Sequence, residues 1–554
     1  MVSTIRVPTV EFNLARALAA VAEAHPERVA LVHRGSETTF PELMRRARCL
    51  GGAFRRAGLG CHTERDHLRG HQSGQDHVGL YLNNGPEYLE TMLGGWAGRA
   101  ATFNVNHRYI ADELRYLFAD AGAKAVVVHG TYAERLAEVL PDLPSVELVV
   151  QVDDGSGAPL LPGAVDYESF VNSGDPVDIS ECSPDDLYVL YTGGTTGMPK
   201  GVLWRNADFF VGALAMSNRK EGREYASYDE VSEAAGRGTL RWMTSAPFMH
   251  GAAQWIAFQA LSMGHTVVLP DVIERYDAQT VLEACEREGV EFLQIVGDAF
   301  ARPLLDAVEA GAPVPSKLRS IISGGATLNS SLKARLKEAF DGVTIRDSIG
   351  SSETGVQGSN VSSKGQQAST GDFEPAPGST VVSADLTREL DPGDDEIGWF
   401  AMSGRVPLGY LNDAGKTDAT FPVIDGRRMS VPGDRARRRA DGRIEVLGRD
   451  SVTINSGGEK IFAEEVENAI KPHPSVYDVV VCGRPSERWG NEVVAIVQLN
   501  PGAAFDEAEL IGHCEGQLAK YKWPKAVIPV DRVERSPAGK PDYRWAAEIA
   551  AEGG

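Results

Sequence analysis

The chain has 554 residues, 42% of them hydrophobic and 24% charged, and carries a formal net charge of −22 at pH 7. That length holds two or more domains with sizeable cores, and the composition excludes a disordered or fibrous protein. The excess of acid argues against nucleic acid or an anionic membrane as a major partner, since both are repelled at long range, so any anionic substrate must be met by local cations.

Six cysteines (Cys49, Cys61, Cys182, Cys285, Cys482 and Cys514) are scattered without a CxxC pair. Reduced thiols and a cytoplasmic protein are the expectation. Arg6, Glu11 and Arg16 interrupt the N-terminus, so no signal peptide is expected, and no segment approaches the ~18 apolar residues of a membrane span.

In chain order, residues 10–60 predict an amphipathic helix, two strands (Arg28–His33 and Glu37–Phe40) and a helix from Pro41 with Leu43, Ala47 and Leu50 on one face. Residues 61–77 gather four of the twelve histidines. With little apolar content and no ligand spacing, they read as a solvated loop, with a metal site on His67 and His71 as the alternative. Val78–Leu82 and Ala125–Val128 are apolar strands followed by helical pattern, a rhythm that predicts mainly parallel sheet. Residues 152–184 read as a surface connection, Ala207–Met216 as helix, and 217–238 as a polar excursion.

Further buried strands are expected at Thr266–Leu269, Glu291–Val296 and Ser320–Ile322. Gly355–Thr380, loaded with Gly, Ser, Gln and Pro, reads as a mobile loop beside a site. Short strands with glycine turns follow from Trp399 to Val446. The pattern then changes to a compact α+β unit, which places a domain boundary near residue 449, giving domains 1–449 and 450–554.

The densest functional signal is Tyr191-Thr-Gly-Gly-Thr-Thr-Gly-Met-Pro-Lys-Gly-Val202. Glycines turn backbone N–H groups toward an anion, Thr192, Thr195 and Thr196 add hydroxyls, and Lys200 adds a charge. It is not a Walker loop, because Pro199 precedes the lysine and Gly201 follows it. β-favouring flanks predict strand, loop, strand.

This stretch resembles the phosphate loop of the adenylate-forming superfamily, which includes acyl-CoA synthetases, adenylation domains and luciferases. The resemblance extends along the chain in order. It implies an α/β fold: a large N-terminal domain of two sheet layers plus a small distorted β-barrel, and a small mobile α+β C-terminal domain. It puts ATP on Thr192, Gly193, Gly194, Thr195, Thr196, Gly197 and Lys200, and the adenine near Gly324, Gly325 and Ala326.

Asp347-Ser-Ile-Gly-Ser-Ser-Glu-Thr354 resembles the family's YGxTE element, with Ser348, Ile349, Gly350, Ser351 and Ser352 at the nucleotide and Glu353 on Mg²⁺. Ile349 stands where the family usually has tyrosine, and Ser352 where it has threonine. Val431-Pro-Gly-Asp434 resembles the ribose-binding element. Gly448-Arg-Asp450 resembles the hinge, with Arg449 reaching the nucleotide and Asp450 the pivot. Gly457 and Gly458 would let backbone approach the pantetheine thiol of CoA. Ser536-Pro-Ala-Gly-Lys540 resembles the segment that delivers a catalytic lysine.

Within the superfamily the motifs look most like actinobacterial ligases for fatty acids and steroid side-chain acids. A bulky, polycyclic or long-chain carboxylic acid is therefore expected, in a pocket of His250, Trp255, Gly297, Asp298 and Phe300, with His250 also a catalytic candidate. An enzyme limited to one half-reaction, or one loading a separate carrier protein, remains the alternative. A homodimer stays open.

Overall fold

The computed structural model describes residues 10–194, 197–363, 365–366, 369–456, 459–536 and 539–553. Among them, three sheets carry the fold. The parallel part of the first runs, side by side, through Val29–His33, Thr266–Val268, Arg241–Thr244, Phe292–Ile295, Ser320–Gly324 and Thr344–Ser351. The second places Leu187–Gly194 beside Ala101–Asn104, His77–Tyr81, Ala123–His129 and Leu148–Val152, again parallel. Strands such as Ala123–His129 are almost continuously apolar because both of their faces are covered.

The largest core lies between these sheets and joins Leu31, Met243 and Ile295 to Leu80, Val150 and Leu190. Helices Phe40–Arg56 and Pro86–Gly98 fill the gap. Thr39 caps the first, its hydroxyl accepting the Glu42 N–H at 3.4 Å. The two helices touch at glycines: a Cβ on Gly51 would sit 2.8 Å from the Gly98 nitrogen. No other residue permits that approach.

Three sequence expectations change. Gly355–Ser362, expected as mobile loop, is a strand paired antiparallel to Thr344–Ser351, followed by strands Asp372–Pro375 and Ser379–Val382. Its small residues serve packing: a Cβ on Gly358 would meet the Glu374 carbonyl oxygen at 2.9 Å. Residues 207–216 hold a short turn of helix and a π-helix, Phe209–Ala213, in place of one regular helix. The polar excursion contains the helix Tyr228–Ala235, whose Tyr228 ring packs edge-on against Phe12 at 5.1 Å.

In the histidine-rich segment, His62 pairs with Asp76, while His77 is buried and bonded to the Ala121 carbonyl and the Ser73 hydroxyl. Antiparallel strands of residues 372–449 complete the large N-terminal domain, with apolar clusters around Phe400 and Met429. The small C-terminal domain is a five-stranded sheet between helices Ala463–Ile470 and Tyr543–Glu552, with its own two cores. No helix among the described residues is long and apolar enough to cross a membrane.

Candidate active site

Strands of both parallel sheets direct their C-terminal ends at one cavity of about 1890 Å³. Ligands of such folds gather at these ends, where loops leave the sheet and backbone groups are free. One sheet contributes Val296, Ser323, Gly324, Gly325 and Ser348; the other contributes Asn104, Leu190, Tyr191, Thr192 and Gly193.

The phosphate loop is a hairpin of Leu187–Gly194 and Gly197–Arg205, as strand, loop, strand predicts. Thr195 and Thr196 lie outside the described residues. Buried Asn104 fixes the hairpin base: its oxygen accepts the Tyr191 N–H at 2.7 Å, and its nitrogen donates to the carbonyls of Tyr191 at 2.8 Å and Met249 at 2.6 Å. One amide thus ties the phosphate loop to the segment carrying His250. Lys200 sits opposite Thr192 in the ladder, with its ammonium 3.5 Å from Asp413 and 5.7 Å above the Tyr410 ring, away from the cavity wall.

Ser348, Ile349, Gly350, Ser351 and Ser352 all line the cavity. The indole N–H of buried Trp204 donates to the Ser352 carbonyl at 2.9 Å and holds the turn. Glu353 accepts the Tyr410 hydroxyl at 2.8 Å through one carboxylate oxygen. Tyr410 also carries Lys200 over its ring, so it joins the phosphate loop to the acid. Asp434 and Arg449 face each other on paired strands and form an ion pair at 2.9 Å. Asp434 first, and then Glu353 and Glu464, hold the Arg449 guanidinium above its ordinary value against the opposing cost of burial.

Lys540 arrives from the C-terminal domain on a tight turn. Its N–H donates to the Ser536 hydroxyl at 3.2 Å, and its carbonyl accepts the Ser536 N–H at 2.8 Å. Arg535 anchors the turn to Asp478 at 2.6 Å. Gly539, at φ +69°, presses on the N-terminal domain so closely that a Cβ would lie 3.0 Å from the Ala299 Cβ and 3.2 Å from the Val296 carbonyl.

The Lys540 side chain opens into the cavity, and no acid among the described residues pairs with it. Desolvation by the surrounding protein, then the Arg449 charge, push its pKa below the ordinary lysine value; Glu353 and Asp434 pull partly the other way. His250 precedes helix Gly251–Ser262, whose N-terminus also faces the cavity. Its Nε2 is buried without a hydrogen-bond partner. Burial first, then the Lys540 charge, push its pKa down to about 3, so the imidazole is neutral.

The substrate-pocket assignment needs one correction. Trp255 lines the cavity, with its N–H on the Tyr188 hydroxyl at 3.2 Å, but Gly297, Asp298 and Phe300 do not. Phe300 is core, its ring 3.9 Å from that of Tyr276. Asp298 turns away from the cavity, accepting the Asn329 N–H at 2.8 Å and pairing with Lys471 of the other domain at 2.9 Å. Successive side chains of a helix point about 100° apart, so few residues of its first turn can share one wall, and here Val296, the residue before it, takes that place. Ala326 lies behind the wall, under Gly297. Asp450 is tied to Arg435 at 2.8 Å. Gly457 and Gly458 lie outside the described residues.

The arrangement gathers the Lys540 charge, backbone donors and a helix N-terminus around one space; Glu353, Asp434 and Arg449 do not line it, but their charges act on Lys540 from behind the wall. Such a site stabilises phosphate and a second anion brought against it. Asn104, Tyr410 and Asp413 escaped the sequence reading, since nothing local marks them.

Residues 18–405 match the family model for AMP-binding enzymes, and residues 465–540 match that for the AMP-binding enzyme C-terminal domain. The chain is 50% identical over 549 residues to the medium-chain acyl-CoA ligase Mig of Mycobacterium avium, covering 98% of this chain and 99% of that one. It is 39% identical over 535 residues to a 3-oxocholest-4-en-26-oate–CoA ligase of Rhodococcus rhodochrous, covering 94% and 93%. The fold matches that of an anthranilate CoA ligase in complex with anthranoyl-AMP, with a TM-score of 0.81, 21% identity and 98% of each chain covered. The chain therefore belongs to the AMP-binding enzyme family.

Proposed function

We propose that the protein is an acyl-CoA ligase that activates a bulky or long-chain carboxylic acid as its acyl-adenylate and passes the acyl group to CoA. The observation that carries this reading is Lys540: an ammonium without an acid partner among the described residues, delivered by one domain into the anion-binding cavity of the other. The names of the relatives, a medium-chain and a sterol-acid CoA ligase, support the substrate class. So does the cavity, whose volume of about 1890 Å³ exceeds the ~300–1,000 Å³ of a usual small-molecule site and leaves room for an acid beside a nucleotide.

In the first step a substrate carboxylate oxygen attacks the α-phosphorus of ATP, a P–O bond forms, and pyrophosphate leaves. Lys540 offsets the repulsion between the two anions, while the donors of the phosphate loop take the phosphate oxygens. Neutral His250 presents an unpaired Nε2 to the reacting end without adding charge. Glu353 fits Mg²⁺, because it is a hard oxygen donor and one protein carboxylate completed by phosphates and water is this ion's usual protein ligation. Bound there, the ion would neutralise phosphate charge.

In the second step the domain of residues 450–554 turns about Asp450, Lys540 withdraws, and Gly457-Gly458 lets the CoA sulfur reach the acyl carbon. A thioester bond forms, AMP leaves, and the thiol proton passes to solvent. The test is a panel of acids assayed separately for pyrophosphate release and for acyl-CoA formation. Pyrophosphate release without thioester on CoA, but with thioester on a holo-carrier protein, would overturn the choice of acceptor.

A further inference from the structure

Five arginines line the cavity, and three of them are committed elsewhere. Arg223 pairs with Glu221 and Glu230, Arg405 with Glu11, Asp208 and Glu224, and Arg544 with Glu548. The remaining two, Arg219 and Arg346, have no acidic partner among the described residues. They stand so on a chain with a net charge of −22, where acids outnumber bases. The cavity's own acids cannot serve them. Glu113 takes the Ile110 N–H, Glu224 pairs with Arg405, Glu374 is engaged by Arg443, and Asp542 caps the last helix.

Their place is set by register. Arg346 and Ser348 lie on the same face of Thr344–Ser351, while Ile345 and Asp347 are buried on the other, where Asp347 pairs with Lys333 at 2.6 Å. Two residues along a strand is about 7 Å, so Arg346 sits that far below the nucleotide-facing Ser348. Its neighbours across the sheet are Ile322 and, one strand further, Gln294, both in the cavity wall. Arg219, on the connection after the π-helix, lies close enough for its charge to act on Arg346, whose pKa is lowered by burial first and by Arg219 second. Two guanidiniums facing one cavity, exposed and without a counter-ion from the described residues, are free to meet an anion that the cavity holds.

Resting on the acyl-CoA ligase reading, we infer that Arg219 and Arg346 form a subsite for a second carboxylate at the far end of the acid, remote from the carboxylate that is activated. The acid is thereby selected at both ends. In a purely apolar tunnel a distal carboxylate carries a heavy desolvation cost; here it gains charge-assisted hydrogen bonds.

The test compares kcat/KM for pyrophosphate release, without CoA, across the saturated monocarboxylic acids from octanoate to hexadecanoate and their α,ω-diacids. For the wild-type enzyme we expect one chain length at which the diacid equals or exceeds the monoacid. In Arg346→Met, and separately in Arg219→Met, the diacid-to-monoacid ratio at that length should fall by about tenfold to a hundredfold, as for loss of a charged hydrogen bond. A wild-type enzyme that rejects every diacid would overturn the inference. So would variants whose ratio is unchanged while KM for CoA rises in the thioester-forming half-reaction, which would assign the arginines to the phosphates of CoA. No pyrophosphate from any acid, mono or di, would remove the ligase reading itself and this inference with it.

Discussion

Asp298 and Lys471 meet at 2.9 Å across the boundary between the two domains, with side chains only 6% and 4% exposed. The pair lies beside the turn that inserts Lys540, since Asp298 and Ala299 open the helix on which Gly539 rests. A buried pair adds little net stability over an apolar contact, but removing one partner strands a charge, at a cost of about 3–5 kcal/mol. It therefore selects one domain orientation more than it strengthens the fold.

Lys471→Met leaves the bond from the Asn329 N–H to Asp298 in place, although it also removes a charge that acts on buried Glu467 and Asp478. It should weaken the arrangement seen here and lower pyrophosphate release by about tenfold or more, while thioester formation from a supplied acyl-adenylate is spared. Charge reversal at both positions, Asp298→Lys with Lys471→Asp, should recover part of the loss. Equal losses in both half-reactions would argue against a role in domain orientation.

Lys540→Ala should cost at least ~10²-fold in adenylate formation, the scale for losing one preorganised charge donor. The pH dependence follows from the sign of its shift. A lysine with a lowered pKa keeps its charge at low pH and loses it, as pH rises, earlier than a free lysine would. Pyrophosphate release should therefore decline on the alkaline side below the ordinary lysine pKa, and a supplied acyl-adenylate should react with CoA without that decline. Stopped-flow rates of the two half-reactions from pH 7 to 10.5 compare them directly.

The glycine- and threonine-rich hairpin, the Ser348–Glu353 turn and the Lys540 turn could be read from the chain because their chemistry is local: backbone conformation and charge lie within a few neighbouring residues. Asp298 could not. Its position at a strand-to-helix turn reads as pocket wall, and only the partner domain's Lys471 reveals a domain contact. Gly355–Ser362 misled for a related reason, since small residues signal a loop when the backbone crowding that requires them is supplied by strands elsewhere. Tyr410 lies 57 residues from the acid it supports.

Tyr410→Phe tests that support. Without the 2.8 Å hydrogen bond Glu353 loses the partner that fixes its rotamer, while the ring beneath Lys200 remains. Loss of such a partner typically costs 10- to 100-fold in metal affinity or activity. Pyrophosphate release titrated with Mg²⁺ should show a raised half-saturating concentration, with acid KM little changed. A change in acid KM alone would place Tyr410 in the acyl site.

His250 should contribute no ionisation to the working pH range. Its pKa of about 3 means that the neutral imidazole persists as pH falls from 9 through 5, and protonation begins only where the protein is already acid-stressed. The causes are structural: a buried Nε2 with no partner, and the Lys540 charge facing it. Its ring resonances, followed by NMR against a His250→Gln control, should stay flat between pH 5 and 9. In Lys540→Ala, where one repelling charge is gone, the pKa should move upward but remain below that of an exposed histidine, because burial is the larger cause. A wild-type midpoint near 6.5 would mean that His250 is hydrated, and would remove it from the enclosed end of the cavity.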